Sequence, residues 1–390
     1  MISVAEALAA LFALVRPLEV EEVPLARAHG RVLAREVIAR RTQPPFAASA
    51  MDGYAVAADA ARPGARFRVI GESAAGHRFD GGVGKGEAVR IFTGAPLPQG
   101  TDRVVIQEDV DRDGDTITLH DDLDDSRHVR PAGADFSAGF ALTAPRLLGP
   151  NDIALLASMN IATVPVTRQP VVAIIATGDE LVQPGEDPGP DQIIASNAHG
   201  LAALLAQHGA IPRLLPIARD TRDSLALAFR LAAGADLIVT IGGASVGDHD
   251  LVAAAAEGAG MDRAFYKVAM RPGKPLMAGR IGTAAMIGLP GNPVSAMVCG
   301  HVFLLPVVRA MLGLAKAEPP RRTAVLTNAL PANGPRAHYM RASLTGDQVT
   351  VFDRQDSALL TVLAQANALA VRPPADGPRL PGDRIEVILL

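Results

Sequence analysis

The chain has one cysteine, four lysines, no surplus of basic charge and no long apolar run, and each shortage closes off a class of protein. Cys299 alone cannot form an internal disulfide, and no Cys/His cluster offers zinc-ligand spacing, so a reducing, cytoplasmic setting is expected. A formal net charge of -4 with 20% charged residues leaves no polycationic surface for phosphate backbones, which argues against nucleic acid as a general partner. The longest apolar stretches, 170–176 and 302–308, fall far short of the roughly 18 residues a membrane span needs, so no membrane association is expected. Residues 1–16 lack a basic start and are broken by Glu6, and the Ser3/Glu6 spacing is that of a capping box. A helix is expected there, not a signal peptide. No loop reads G-x-G-x-x-G, Gly84-Lys85 lacks the Walker spacing, and the nine histidines show no H-E-x-x-H or triad spacing. An ordinary P-loop NTPase, a dinucleotide dehydrogenase and a zinc protease are all disfavoured.

What is present is length enough for roughly two to four domains at 390 residues. Between about 168 and 314, short apolar runs alternate with helical patterns. Strands are expected at 171–176, 213–217, 235–241, 263–269, 276–280 and 284–289, with helices at 197–208, from 221 or 223, at 250–257 and at 293–314. Continuous Val/Ile runs mark strands covered on both faces, and alternation with helices implies right-handed crossovers. The fold class is therefore a three-layer α/β domain with a mostly parallel sheet, within a multidomain α/β and β chain. Residues before 168 become mainly β beyond 45, with a hairpin expected from 103–110 and 116–120 around Asp113-Gly114. Asp111, Asp113 and Asp115 belong to that turn and not to a calcium loop, because the glycine is misplaced and no glutamate closes the pattern. Residues 317–390 read as a small β domain.

In an open parallel sheet, ligands bind beyond the carboxyl ends of the strands. Four of the expected loops there are unusual: Thr177-Gly178-Asp179-Glu180, the run from Gly242 and Gly243 through Ser245, Gly247, Asp248 and His249 to Asp250, Arg271-Pro272-Gly273-Lys274-Pro275, and Pro290-Gly291-Asn292-Pro293-Val294-Ser295. Glycine lets backbone amides turn toward one point and a helix N-terminus adds partial positive charge, so such loops suit phosphate or another oxyanion. Two of the four lysines, Lys267 and Lys274, flank one of these loops, where an ammonium suits a small tetrahedral anion. Asp179, Glu180, Asp248 and Asp250 lie in the same loops and would repel a phosphate unless a divalent cation, Mg²⁺ or a similar ion, bridges the two.

Taken together, Ser49-Ala50-Met51-Asp52-Gly53-Tyr54, Thr93-Gly94-Ala95, Gly133-Ala134-Asp135, Thr177-Gly178-Asp179-Glu180-Leu181, Gly242-Gly243-Ala244-Ser245-Val246-Gly247, Pro272-Gly273-Lys274-Pro275 and Leu289-Pro290-Gly291-Asn292-Pro293-Val294-Ser295 resemble the molybdopterin molybdenumtransferases, the family of MoeA and the gephyrin E domain. The likeness runs in order over nearly the whole chain.

The resemblance implies an elongated homodimer of four-part subunits. Residues 1–44 and 137–166 would form a linker domain, 45–136 an inserted β-rich domain, 167–316 the molybdopterin-binding α/β domain, and 317–390 a carboxyl-terminal β-barrel. It further implies insertion of molybdenum from molybdate into adenylylated molybdopterin with release of AMP, a molybdopterin adenylyltransferase as substrate donor, and a site shared between subunits. Asp52, Thr93 and Asp135 of one subunit would then face Glu180, Lys267 and Lys274 of the other as the catalytic set. Thr177, Gly178, Asp179, Asn197, Gly242, Gly243, Ser245, Gly247, Pro272, Gly273, Pro290, Gly291, Asn292, Pro293 and Ser295 would hold the pterin and its phosphate, and Asp179, Glu180, Asp248 and Asp250 the metal. The chain departs from the family pattern at Ala47, Ala48, Ala195 and Arg271, the last keeping charge but changing geometry. Two rival readings are an adenylyltransferase, which would not need residues 1–167 and 317–390, and a non-catalytic anion-binding scaffold.

Overall fold

The computed structural model describes residues 1–243, 251–315 and 318–390. The expected site residues Ser245, Gly247, Asp248 and Asp250, with His249, lie outside the described residues.

The central sheet carries six strands: β1 (Val171–Ala176), β2 (Ile211–Leu214), β3 (Leu237–Ile241), β4 (Met261–Tyr266), β5 (Met277–Ile281) and β6 (Ala284–Leu289), in the spatial order β2-β1-β3-β6-β5-β4. The first four in that order are mutually parallel, and β5 and β4 extend the sheet antiparallel. Every residue of β3 and β6 is buried, as their mostly apolar runs require, Thr240 being the one polar side chain among them. Helix α1 (Asn197–Gln207) follows β1, α2 (Arg222–Leu231) follows β2, and α3 (Leu251–Gly258) follows β3. One apolar core, including Leu201, Val239 and Ile287, lies on one side of the sheet; a second, including Phe229, Ile238 and Met286, lies on the other.

After β6 the chain is helical from Pro293 to Met311, here α4. Its middle turn, Gly300–Leu304, is a π-turn in which the Leu305 amide reaches back to the Gly300 carbonyl. Pro306 follows at once, and a proline inside a helix removes one backbone bond and crowds the preceding turn. The widened turn relieves that crowding. Among the described residues α4 is the one helix long and apolar enough to cross a membrane, but 78% of its apolar window is buried inside the protein, so it is a core helix.

Strand boundaries shift by one to three residues at four of the six strands, two of them for a visible reason. The edge strand β2 starts at Ile211, two residues before the expected 213–217, and leaves the sheet after Leu214, because its pairing with β1 begins at Val171↔Ile211. β4 ends at Tyr266 and not at 269, because Lys267 takes a positive φ of 83° that breaks the extended run.

The segments around this sheet fold as follows. Val20–Pro24, Thr163–Thr167, Val32–Leu33 and Arg146–Leu147 form a four-stranded antiparallel sheet that joins chain from both sides of the inserted region. The Val4–Leu14 helix, with the Ser3/Glu6 capping box present, instead sends Val4, Ala7, Leu8 and Leu11 into the α/β core. Where the chain passes into β1, Arg168 donates to both carboxylate oxygens of Asp236 at 2.8 and 2.9 Å and to Glu19 at 3.1 Å. The inserted region holds a six-stranded sheet in which Val110–Asp113 and Thr116–Leu119 pair across Gly114, as expected. Arg103–Ile106 does not join that hairpin. It pairs antiparallel with Gly53–Val56, and a 3₁₀ turn at Gln107–Asp109 separates it from Val110–Asp113. At the carboxyl end, Ala337–Thr345, Gln348–Val351, Arg321–Leu326, Arg384–Leu389 and Ala368–Arg372 close into a five-stranded barrel. The short strand Met270–Arg271 attaches it to the α/β region by pairing with Ala337 and His338.

Candidate active site

Four parallel strands end at one rim, and a cleft of about 580 Å³ opens there. Thr177 and Gly178 enter it from the end of β1, Asp220 from the loop after β2, Gly242 and Gly243 from β3, and Pro290, Gly291 and Asn292 from β6. The loops are drawn together by backbone bonds: the Thr177 amide donates to the Ile241 carbonyl at 2.9 Å, the Gly178 amide to Ala218 at 3.1 Å and the Gly242 amide to Leu289 at 3.1 Å. Gly242 has a φ of 98°, and a Cβ on it would lie 2.6 Å from the Thr177 carbonyl oxygen. Only glycine fits there. Asn197, at the start of α1, donates from Nδ2 to the Gly291 carbonyl at 2.7 Å and so ties the loops after β1 and β6 together.

The acidic side of the rim is compact. Arg219 donates to the carbonyls of Asp179 at 2.9 Å and Leu181 at 3.1 Å, and Asp179 Oδ1 accepts the Asp220 amide at 3.1 Å. Burial, reinforced by the charges of Asp179 and Glu180, pushes the Asp220 carboxyl above its ordinary range. That repulsion is what a bound cation would relieve. Asp220 was not among the expected site residues, because directly before the Thr221 cap it reads as part of a helix start. Among the described residues no three His, Cys, Asp or Glu side chains gather into a metal cluster.

At the opposite side, α4 opens at Asn292 with no side-chain capping bond; Asn292 Nδ2 instead donates to Ser357 Oγ at 3.1 Å, and the Val294 amide donates to the Ser357 carbonyl at 3.0 Å. The carboxyl-terminal region therefore completes the rim, with Ala358 lining the cleft. Neither Gly291 nor Asn292 gives its backbone amide to another described residue. Pro293 also lines the cleft, and Ser295 is buried one turn into the helix.

The remaining expected residues are placed differently. In the loop from Arg271, Pro275 reaches the cleft, whereas Gly273 packs against α4, its missing Cβ leaving 2.6 Å to Cys299 Sγ. Pro272 and Lys274 are half-buried in the same loop, outside the cleft lining. Lys267 is half-buried, with Nζ 5.2 Å from the centre of the Tyr266 ring. Asp52, Thr93 and Asp135 sit in the inserted region, exposed, and do not line this cleft. Two of them form a unit: Asp52 Oδ1 accepts the Thr93 amide at 2.7 Å and the Thr93 hydroxyl at 2.8 Å, which hold the carboxyl below its usual range. Beside them Arg90 stacks over Tyr54 and Phe92, 5.0 and 4.9 Å from the ring centres.

Comparisons with known proteins cover all these parts. Residues 2–160 match the family described as MoeA N-terminal region (domain I and II), 173–310 the probable molybdopterin binding domain, and 323–390 the MoeA C-terminal region (domain IV). A molybdopterin molybdenumtransferase of Nostoc sp. is 37% identical over 372 residues, covering 91% of this chain and 85% of the relative. One from Bacillus subtilis is 33% identical, covering 95% and 90%. A molybdopterin biosynthesis moeA protein from Pyrococcus horikoshii OT3 superimposes with a TM-score of 0.87 at 26% identity over the whole of both chains.

Proposed function

The chain belongs to the MoeA family of molybdopterin molybdenumtransferases, and from that membership we propose how its residues divide the work of inserting molybdenum into molybdopterin. The activity is a molybdenumtransferase, with molybdate and molybdopterin as substrates.

The finer reading is that the pterin arrives adenylylated, handed over by a molybdopterin adenylyltransferase, and that molybdate insertion releases AMP. The observation that carries it is the single rim on which the glycine turns, the start of α4 and the carboxylates of Glu180 and Asp220 meet. In this reading the amides at Gly291 and Asn292, with Pro290, Pro293 and buried Ser295, seat an oxyanion. Lys267 and Lys274 supply positive charge, and Thr177, Gly178, Asn197, Gly242, Gly243, Pro272 and Gly273 shape the floor and the neighbouring loop. Asp179, Glu180 and Asp220, with Asp248 and Asp250, would hold a divalent cation such as Mg²⁺; the like-charge load on Asp220 suits that role. When bound, the cation supplies neutralising charge to the leaving phosphate. Glu180 and Asp220 would be the side chains that hold the cation, since on their own they repel the anionic oxygens of the phosphoanhydride.

Asp52, Thr93 and Asp135 enter the reading through a homodimer, in which the inserted region of one subunit covers the cleft of the other. Residues 1–44 with 137–166 form the linker, 45–136 the inserted domain, 167–316 the α/β domain and 317–390 the barrel; the sheet that joins Val20–Pro24 to Thr163–Thr167 supports this division. The setting is the reducing cytoplasm, where a buried thiol such as Cys299 persists.

Purified protein given adenylylated molybdopterin with and without molybdate should release AMP only when molybdate is present. Glu180→Ala and Lys274→Ala should each lower that rate by at least about 100-fold. Molybdate-independent release by the native protein would overturn the reaction, and native rates in both variants would remove these side chains from it.

A further inference from the structure

The cleft has an apolar lip. Leu181–Val182 and Ile193–Ile194 pair as a two-stranded parallel ribbon at its mouth, in the register Leu181↔Ile193 and Val182↔Ile194. The ribbon is held firmly: the Ile193 amide donates to the Glu180 carbonyl at 2.7 Å, and the Ala195 amide to Val182 at 2.9 Å. Yet Ile193 is 59% and Ile194 38% exposed, and both line the cleft. Two adjacent β-branched side chains fixed in water beside a polar cavity are a cost unless something covers them.

The occupant follows from what else the cleft contains. None of its described lining residues is aromatic, and the whole chain has no tryptophan and three tyrosines. A flat ring entering here therefore meets no aromatic side chain among its own subunit's described lining and packs there against aliphatic faces. Ile193 and Ile194 are the large ones that stand exposed, with Pro275 and Pro293 half-buried beside them. The polar groups lie immediately alongside, since Ile193 is bonded to the backbone of Glu180 itself. An anionic group seated at this rim thus leaves an attached heterocycle within reach of the ribbon.

We infer that the Leu181–Val182/Ile193–Ile194 ribbon grips a planar nitrogen heterocycle of the substrate, and that Ile193 and Ile194 set its affinity. This rests on the reading of the cleft as the molybdopterin site. Adenine and pterin share the chemistry, a flat polar-edged ring with an apolar face, and the test separates them.

AMP, neopterin and ribose 5-phosphate are titrated into the native protein and into the double variant Ile193→Ser/Ile194→Ser by calorimetry. The variant should bind AMP, neopterin or both about 10-fold more weakly, the ring that responds identifying the group gripped, while ribose 5-phosphate is unaffected. In turnover, KM for adenylylated molybdopterin should rise by a similar factor with kcat held within about 2-fold, because the lip binds ground and transition states alike. Ile193→Val/Ile194→Val, which keeps the apolar face, should restore the native values. Unchanged affinity for both ring compounds overturns the lip, as does an equal loss for ribose 5-phosphate, which would mean that the rim itself had moved. A native protein that binds the rings lip-dependently but shows no molybdate-dependent AMP release leaves the lip standing and sinks only the reaction.

Discussion

At the level of single residues, one constraint in the cleft joins backbone to chemistry at Gly178. Its φ of 147° is one that side-chain-bearing residues rarely adopt, and a Cβ there would lie 2.3 Å from Glu180 Oε2. Glycine is therefore what allows the Glu180 carboxylate to fold back over the turn. Gly178→Ala should cost about 1–3 kcal/mol in urea unfolding and displace Glu180, so molybdate-dependent turnover should fall further than stability does. An alanine variant with native turnover would show that the folded-back position of Glu180 is immaterial. The sequence made Gly178 and Glu180 legible as neighbours in an anion-type turn. It could not reveal that one sits on the other, because that contact depends on backbone angles. Asp220 escaped for a related reason: its position after β2 matters only because β2 lies next to β1.

Among elements, the short strand Met270–Arg271 joins the α/β region to the barrel, and its barrel partner His338 is buried among cations. Burial, followed by the charges of Arg271, Arg341, Arg372 and Arg336, lowers the His338 pKa from 6.5 to about 4. A histidine whose folded pKa is depressed takes up its proton more readily when unfolded. The stability it permits is therefore intact above about pH 6.5 and is lost progressively as pH falls toward 4, by up to about 3 kcal/mol. His338→Gln should flatten the decline of the urea midpoint between pH 7 and pH 4.5. An unaltered pH profile would mean that His338 does not titrate in that window. Elements buried on both faces, β1, β3 and β6, were legible as continuous apolar runs, and the Ser3/Glu6 cap marked the first helix. The edge strand β2 and the end of β4 were not. An edge strand has half the burial signal, and Lys267 breaks its strand by a φ value that no composition announces.

At the scale of the whole molecule, the expected site residues do not all meet. Glu180 and the turns at Gly178, Gly242 and Gly291 line the cleft, while the bonded pair Asp52 and Thr93 lies exposed on the inserted region. If a partner subunit brings the sets together, Asp52→Ala and Glu180→Ala dimers should each be inactive, yet recover activity after subunit exchange. Random mixing yields one intact site in each mixed dimer, or about one quarter of native turnover. No recovery among demonstrably mixed dimers would place both sets in one subunit's site or remove Asp52 from the chemistry.

The sequence by itself determined the α/β class, the glycine-bearing loops with their gathering at one rim of the sheet, and the family likeness, because these rest on local composition, periodicity and motif order. Tertiary structure alone decided that Asp220 and Ser357 belong to that rim, and that Ile193 and Ile194 stand exposed at its mouth. Each of those facts depends on which strands become neighbours, and strand order is set by packing the whole sheet at once.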